Sequence, residues 1–213
     1  MKRFPNSAAF ICSRTGFASS AAVMSIVGYI VGLGDRHCEN ILIDQTTGRV
    51  MHVDFNCLFE KGLKLEKPEL VPFRLTHNMV DAMGVTGYEG VFRSHCEHTT
   101  QLLRKHKDPL MSVLDTFVHD PLLEWNFSNK VHSSVSTRKG KKDNKDKQQA
   151  IKDANIVVVN EFANYALDRI RLKLDGYLQY VKLSANGQVD ELIKEAVDPY
   201  KLFKMYIGWA SYL

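Results

Sequence analysis

The stretch "GLGDRHCENILIDQTTGRVMHVDFN", residues 32–56, constrains the fold more than any other part of the chain. It contains two short strand-like runs, "ILID" and "RVMHVDF", joined by "QTTG", which has the composition of a hairpin turn. Asp35 precedes Asn40 by five positions, and Asp54 follows Asn40 by fourteen. The pattern therefore predicts a tight hairpin with oxygen-bearing side chains on a loop, at the end of that loop and at a strand end.

Apolar patterning outside the hairpin predicts helices. Residues 17–33 are small and apolar on every side, which predicts a helix inside a lobe. The most apolar run, residues 21–33, is shorter than the roughly 20 residues of a membrane span, so no span is expected. Helical spacing continues over residues 88–105, 110–118, 155–181 and 187–196, whereas the proline-containing "KGLKLEKPELVPF" predicts a loop. The expected fold class is mainly α with a small β-hairpin.

Composition favours a folded intracellular protein. With 213 residues, of which 45% are hydrophobic, the chain can bury a core of its own. Its four cysteines form no C-x-x-C pair, which favours a reducing compartment over a disulfide framework or a zinc site. The start "MKRFPNSAAF" lacks the apolar run and cleavage site of a signal peptide.

The positive charge of the chain is concentrated in one segment. Residues 128–152 contain eight Lys or Arg and two Asp, so the remainder of the chain has a net charge of −2 although the whole is +4. Around "SSVSTRKGKKDNKDKQQ" apolar residues are scarce, which predicts a solvated, disordered insert. Contact with nucleic acid or a role as a nuclear address is the alternative, but a linker is favoured because no aromatic residues interrupt the basic run.

The spacing around the hairpin matches the needs of phosphoryl transfer. That reaction uses a carboxylate to accept the proton of the attacking hydroxyl and oxygen ligands to hold Mg²⁺ on the nucleotide phosphates. In the protein-kinase pattern H-R-D-L-x-x-x-N, Asp precedes Asn by five, and Asp-Phe-Gly follows a strand hairpin. Here "DRHCEN" has the same offset and "HVDFN" stands where Asp-Phe-Gly would. The order Asp-Arg-His in place of His-Arg-Asp argues against an ordinary protein kinase.

Each of these residues taken singly is more often structural. An Asp on a loop commonly forms a turn or caps a helix, and His37 or His52 alone would more often be a structural histidine than a catalytic one. The joint spacing of Asp35, Asn40 and Asp54 favours chemistry.

The sequence resembles the phosphatidylinositol-3-kinase-related protein kinases. "GLGDRHCENIL", "HVDFNCLFEKG" and "PELVPFRLTHNMVDAMG" look like the catalytic loop, metal-binding segment and activation loop of that family. The ending "GQVDELIKEAVDPYKLFKMYIGWASYL" resembles its FATC segment. Asp-Phe-Asn and "MYIGW" are most similar to the ATR branch, the DNA-damage checkpoint kinases. The resemblance covers nearly the whole chain except the basic insert.

The resemblance implies a nuclear serine/threonine kinase that uses ATP with Mg²⁺, or Mn²⁺ in its place, and modifies Ser or Thr followed by Gln. By matching positions, Asp35 would be the catalytic base, His37 a transition-state-stabilising partner, and Asn40 and Asp54 the metal and nucleotide ligands. Asn56 replaces the usual Gly, which would restrict the backbone beside Asp54, although Asn also tolerates left-handed geometry. A regulatory partner subunit is implied for the full-length protein, and DNA contact would be indirect or through the insert.

The resemblance also predicts the organisation of the chain. Residues 1–125 would be the C-terminal kinase lobe, with the catalytic loop at 32–41 and the metal-binding and activation segment at 54–76. The insert and a following helix would occupy 126–181, and the FATC segment 182–213. Neither G-x-G-x-x-G nor G-x-x-x-x-G-K-[ST] occurs in the sequence. The expectation is therefore a C-lobe without an N-lobe, inactive when these 213 residues are alone.

Two other classes of function compete with this interpretation. A phosphoinositide lipid kinase would share the Asp-Arg-His-x-x-Asn pattern, but its activation segment should carry clustered basic residues, whereas here lysines and glutamates mix (Lys61, Lys64, Lys67, Glu60, Glu66 and Glu69). A non-catalytic interaction module is the other alternative. The aromatic terminus (Tyr206, Trp209 and Tyr212) could serve its docking or lie on a membrane surface, although packing against the kinase lobe is favoured.

Overall fold

The computed structural model describes residues 6–118 and 162–210. The chain divides into two compact units, one made of Met1–Lys107 and Ile170–Leu213, the other of Asp108–Arg169. Helices predominate in the described part, which confirms the predicted fold class. They are α1 (Ser7–Val31), α2 (His77–Ala82), α3 (Val91–Lys105), α4 (Lys107–Val118), α5 (162–174), α6 (Ala185–Ala196) and α7 (Pro199–Phe203). The basic insert at 128–152 lies outside the described residues.

Helix α1 is the centre of the first unit. Its N-cap is Asn6, whose side chain accepts a hydrogen bond from the Ala8 N–H, so the helix begins ten residues before the predicted start. Small residues on α1 let α3 approach closely, and the Cys96 Sγ lies 3.9 Å from the Ala22 carbonyl oxygen. Cys96 is fully buried there.

By length and composition alone, helix α1 is also long and apolar enough to cross a membrane. The core helix of a soluble protein meets the same criteria. In the first unit α1 packs against α3 and buries Ala18, Ala22 and Ile26, as the sequence prediction of a helix inside a lobe requires.

The predicted hairpin is present. Strands β1 (Ile41–Ile43) and β2 (Val50–His52) pair antiparallel, with Ile41 opposite His52. Hydrogen bonds from Thr47 and Thr46 fix the turn and lower the pKa of Asp44 to about 2. The Val50 N–H donates to the Ser20 Oγ at 2.8 Å, which fastens β2 to α1.

The predicted helix over residues 155–181 is wrong beyond residue 174, and its first seven residues lie outside the described part. Gly176 adopts a left-handed conformation at φ 88°, which ends the helix. A second hairpin follows, with β3 (Tyr177–Leu178) paired to β4 (Val181–Lys182). Apolar spacing persists past Gly176, so periodicity alone did not reveal the helix end.

The remaining helices lie close to their predicted positions, apart from α2, which the sequence patterns did not predict. Helix α6 begins two residues early because the Ser184 Oγ accepts from the Gly187 N–H and caps it. Helices α3 and α4 each begin three residues from the predicted start.

A buried polar network holds the helices of the first unit around the segment that follows β2. The Lys173 Nζ donates to the Tyr29 carbonyl at 2.8 Å and lies 2.9 Å from the Glu60 Oε1. The Gln188 side chain donates to the Lys173 carbonyl and accepts from Arg104. Because a buried charge is stable only when paired and hydrogen-bonded, this network fixes Glu60 and the start of the activation segment.

Candidate active site

The loop between α1 and β1 holds Asp35 in an unusual backbone conformation. Asp35 has φ 60°, a left-handed value that Asp tolerates better than most residues. Its carbonyl oxygen accepts from the Asn40 Nδ2 at 2.8 Å, and the side chain of Asn40 is buried. The Asp35 side chain is 43% exposed, so its carboxylate faces solvent from a constrained backbone.

His37 lies beside that carboxylate. Its Nδ1 accepts from the Glu39 N–H at 3.2 Å, so a neutral His37 carries its proton on Nε2. The Nε2 is 3.9 Å from the Asp35 Oδ1. His37 therefore presents an N–H on the same side as the Asp35 carboxylate.

Asp54 follows β2 and also has left-handed backbone, at φ 59°. The Asn56 N–H donates to the Asp54 Oδ1 at 3.1 Å, and the side chain is exposed. The left-handed residue is thus Asp54 itself and not Asn56. Asn56 contributes a backbone donor that orients the Asp54 carboxylate.

Arg36 joins the two motifs, a role that the sequence patterns did not reveal. It is 2% exposed, and its guanidinium donates to the carbonyl oxygens of Val53 at 2.7 Å and Asp54 at 2.5 Å. The Arg36 Nε donates to the Gly34 carbonyl at 2.9 Å. Burial lowers the pKa of Arg36, and the carboxylates of nearby acids partly oppose this. One buried cation therefore fixes the loop of Asp35 against the strand end of Asp54.

His52 lies on β2, close enough to Arg36 for the two charges to interact. Burial and the charge of Arg36 lower the pKa of His52 to about 4. Its Nδ1 is buried and has no hydrogen-bond partner among residues 6–118 and 162–210. The ring is therefore neutral near pH 7, which avoids a second positive charge beside Arg36.

The C-terminal segment packs onto the catalytic loop through Arg74. This residue is 5% exposed, and its Nη1 donates to the Gly208 carbonyl at 3.1 Å and lies 3.4 Å from the Arg36 carbonyl. The Arg74 guanidinium also lies 5.6 Å from the centre of the Trp209 ring, within range of a cation–π interaction. The only sequence signal for this role is a charged residue inside the apolar run "VPFRL".

Two further contacts join the C-terminal segment to the same region. The Cys38 Sγ lies 3.3 Å from the Gly208 carbonyl, and the Leu70 N–H donates to the Met205 Sδ at 3.3 Å. Trp209 is buried, as expected for packing against the lobe, whereas Tyr206 is exposed. Tyr212 lies outside the described residues.

The loop that carries Asp35 is joined by the buried Arg36 to the segment that follows β2 and carries Asp54. This arrangement is that of a kinase C-lobe of the phosphoinositide-kinase type. Residues 1–127 match the phosphatidylinositol 3- and 4-kinase family, and residues 182–213 match the FATC domain. The chain belongs to the phosphatidylinositol-3-kinase-related protein kinases within that family.

The chain is similar over nearly its whole length to parts of two much longer protein kinases. It is 51% identical over 100% of its length to "Protein kinase rad3" of Schizosaccharomyces pombe and 48% identical over 97% to "Serine/threonine-protein kinase ATR" of Arabidopsis thaliana. It spans 8% and 7% of those proteins. Among solved structures, "FAT and kinase domain of CtTel1" is similar over 100% of this chain and 13% of its own, with 36% identity and a TM-score of 0.78.

Proposed function

We propose that this chain is the catalytic C-lobe and FATC segment of an ATP-dependent serine/threonine kinase of the DNA-damage checkpoint. The reaction would transfer the γ-phosphoryl group of ATP to a Ser or Thr followed by Gln, in the nucleus. The observation that carries the proposal is the exposed Asp35 carboxylate on a backbone held by Asn40 and beside Arg36.

Asp35 would act as the base. As the substrate hydroxyl oxygen forms its bond to the γ-phosphorus, the bond from that phosphorus to the bridging oxygen of ADP breaks, and the hydroxyl proton passes to the Asp35 carboxylate. The exposed carboxylate can reach a hydroxyl from outside, whereas its backbone is fixed. The Nε2 of His37, 3.9 Å from the Asp35 Oδ1, would donate to an oxygen of the transferred phosphoryl group.

The residues present fit a hard divalent cation such as Mg²⁺. Asn40 and Asp54 offer an amide oxygen and a carboxylate, and Arg36 holds the backbone of both on one guanidinium. Within residues 6–118 and 162–210 there is no cluster of three or more His, Cys, Asp or Glu that could hold a metal. A cation held by one or two protein oxygens together with nucleotide phosphates is the usual arrangement for Mg²⁺. Bound Mg²⁺ or Mn²⁺ would neutralise charge on the phosphates of ATP.

One observation favours a second candidate, a phosphoinositide lipid kinase. Glu60 pairs with Lys173, and Glu69 accepts a hydrogen bond from the catalytic loop, so both carboxylates point away from solvent. Lys64 and Lys67, in contrast, are exposed. The surface of the activation segment is therefore more basic than its sequence suggests. The FATC match and the protein-kinase relatives support peptide substrates instead.

The partners of the complete protein also belong to the proposal. Protein substrates with Ser-Gln or Thr-Gln would bind along the activation segment, and a regulatory subunit would act on regions outside this chain, which spans under a tenth of its checkpoint relatives. DNA contact would be indirect or through the basic insert.

The proposal is tested on the full-length protein with Mg²⁺ and labelled ATP. A Ser-Gln peptide, a matched Ser-Ala peptide and phosphoinositide vesicles serve as substrates, with Asp35→Ala as the catalytic control. We expect transfer to the Ser-Gln peptide and a loss of about 10²–10⁴-fold in the Asp35 variant. Transfer to lipid alone would favour the lipid kinase. No transfer dependent on Asp35 would favour the non-catalytic module.

The same assay tests the 213-residue chain by itself. We propose that it is silent, because the sequence contains neither glycine-rich phosphate-binding pattern and a kinase nucleotide is held from both sides. Transfer by the isolated chain that disappears in its Asp35→Ala version would contradict this.

A further inference from the structure

Glu69, on the activation segment, reaches back to the catalytic loop. Its Oε1 accepts from the Asp35 N–H at 2.8 Å. Burial raises the pKa of Glu69, while the backbone N–H groups of Asp35 and Arg36 stabilise its carboxylate and oppose that shift. A side chain 34 positions away in sequence thus binds the backbone of the proposed base.

Two glycines make room for this carboxylate. A Cβ at Gly34 would stand 2.5 Å from the Glu69 Oε2, and a Cβ at Gly62 would also collide with it. The Glu69 N–H donates to the Gly62 carbonyl at 3.1 Å, which folds the segment back onto the loop. The loop and the activation segment are therefore built around the Glu69 carboxylate.

Glu69 completes the restraint on Asp35. The Asp35 N–H is bound by Glu69, and its carbonyl is bound by Asn40, so both polar groups of a left-handed residue are held. Left-handed backbone at a non-glycine residue persists only where surrounding contacts impose it. That backbone fixes the direction in which the Cα–Cβ bond of Asp35 leaves the loop, and so the region that its carboxylate can reach.

We propose that Glu69 is a positioning residue for the phosphoryl-transfer step, which holds Asp35 in its reactive orientation from the activation segment. The inference rests on the proposed function of Asp35 as base. It also gives the activation segment a task besides binding peptide: when Glu69 leaves the loop, the base loses its alignment.

The test compares Glu69→Ala and Glu69→Gln in the full-length kinase. Alanine removes the acceptor, whereas glutamine retains one carbonyl oxygen that can accept from the Asp35 N–H. Because misplacing a reacting group by about 1 Å can cost ~10²-fold, we expect kcat on a Ser-Gln peptide to fall by roughly that factor for alanine and by about tenfold for glutamine. The KM for peptide and for ATP should change by less than about twofold, since neither variant removes a contact that binds the substrates equally in the ground state and in the transition state.

Two further variants separate positioning from loss of the fold. Gly62→Ala leaves every hydrogen-bonding group in place but displaces the Glu69 carboxylate, so its kcat should also fall. Glu191→Ala, on the exposed face of α6, is the matched control and should retain parental kcat. Thermal unfolding and Mg·ATP titration of each variant report on folding.

The outcomes distinguish this inference from the proposed function. Loss of activity in Asp35→Ala with parental kcat in the Glu69 variants overturns the inference alone. Full activity in Asp35→Ala overturns the proposed function. A raised peptide KM with unchanged kcat in Glu69→Gln would assign Glu69 to peptide binding and overturn positioning. If Glu69→Ala does not fold, the other two variants decide: a lowered kcat in Glu69→Gln and Gly62→Ala supports positioning, and parental kcat in both overturns it.

Discussion

The Asn40 side chain donates a 2.8 Å hydrogen bond to the carbonyl oxygen of Asp35, five residues before it. The offset in "DRHCEN" therefore has a structural reason in addition to the proposed metal binding: Asn40 closes the loop on which the proposed base stands. A single residue would then serve as both ligand and backbone restraint, because its amide has a donor and an acceptor at one end.

The first prediction follows from that pair. Asn40→Asp retains an oxygen that can bind a cation but cannot donate to the Asp35 carbonyl. The variant places a carboxylate oxygen next to that carbonyl oxygen in a buried position, so neither has a donor. An unsatisfied buried group costs about 1–3 kcal/mol, so we expect kcat to fall by about 10–100-fold in the full-length kinase. Steady-state kinetics across a Mg²⁺ series measures this. Parental kcat at saturating Mg²⁺ would show that catalysis needs only the cation-binding oxygen at position 40 and not the hydrogen bond to the Asp35 carbonyl.

The second prediction concerns the metal. Asp54→Ala should weaken Mg·ATP binding by at least about tenfold, and Asn40→Ala by less, because a charged oxygen holds a hard cation better than an amide does. Isothermal titration of the full-length protein gives both affinities, with ATP in EDTA as the control. Equal Mg·ATP affinity of the parent and the Asp54 variant would show that Asp54 does not bind the metal and that "HVDFN" is only the end of a strand.

The third prediction concerns the docking of the C-terminal segment. Arg74→Lys keeps the charge but loses the planar guanidinium, whose Nη1 contacts the Gly208 and Arg36 carbonyls, whose Nη2 lies 3.5 Å from the Cys38 Sγ and which stacks on Trp209. We expect amide hydrogen exchange around Trp209 to quicken by about tenfold or more, the loss of a charged hydrogen bond being worth about 1.5–3 kcal/mol. Arg49→Lys, at an exposed position, is the control. Unchanged exchange around Trp209 would show that other contacts hold the segment.

The fourth prediction concerns pH. Since the pKa of His52 in the fold is about 4 against an ordinary value of 6.5, the unfolded chain binds more protons between these values. Above about pH 6.5 His52 is neutral in both states and does not reduce the free energy of unfolding. As the pH falls from 6.5 towards 4, protonation of the unfolded chain lowers the free energy of unfolding. Thermal unfolding of the parent and of His52→Gln over that range measures it. The parent should lose more stability on acidification than the variant, whereas parallel curves would refute the assignment.

The fifth prediction concerns the basic insert. Removing residues 128–152 from the full-length kinase should leave the basal rate within about twofold, because long polar loops add little closure cost and no residue there matches a kinase role. Basal and DNA-stimulated rates of the deletion and the parent are compared directly. A loss confined to the DNA-stimulated rate would make the insert a regulatory contact.

Much of the fold followed from local patterns. The hairpin was predictable because two short strand-like runs flank a turn of polar residues and glycine. Helix α6 was predictable from its apolar spacing, but its start was predicted two residues late because the cap by Ser184 was not recognised. The end of α5 was missed because apolar spacing continues across Gly176, whose left-handed conformation ends the helix. The proposed domain boundaries and the roles of the site residues remain predictions.

The sequence by itself determined which side chains could do chemistry, since the spacing of Asp35, Asn40 and Asp54 is a property of the chain. Only the tertiary structure decided what holds them. Arg36, Glu69 and Arg74 bind backbone groups up to 134 positions away. Such hydrogen bonds produce no periodic pattern in the sequence. Their partners are N–H and carbonyl groups that every residue carries, so no sequence pattern distinguishes them before the chain has folded.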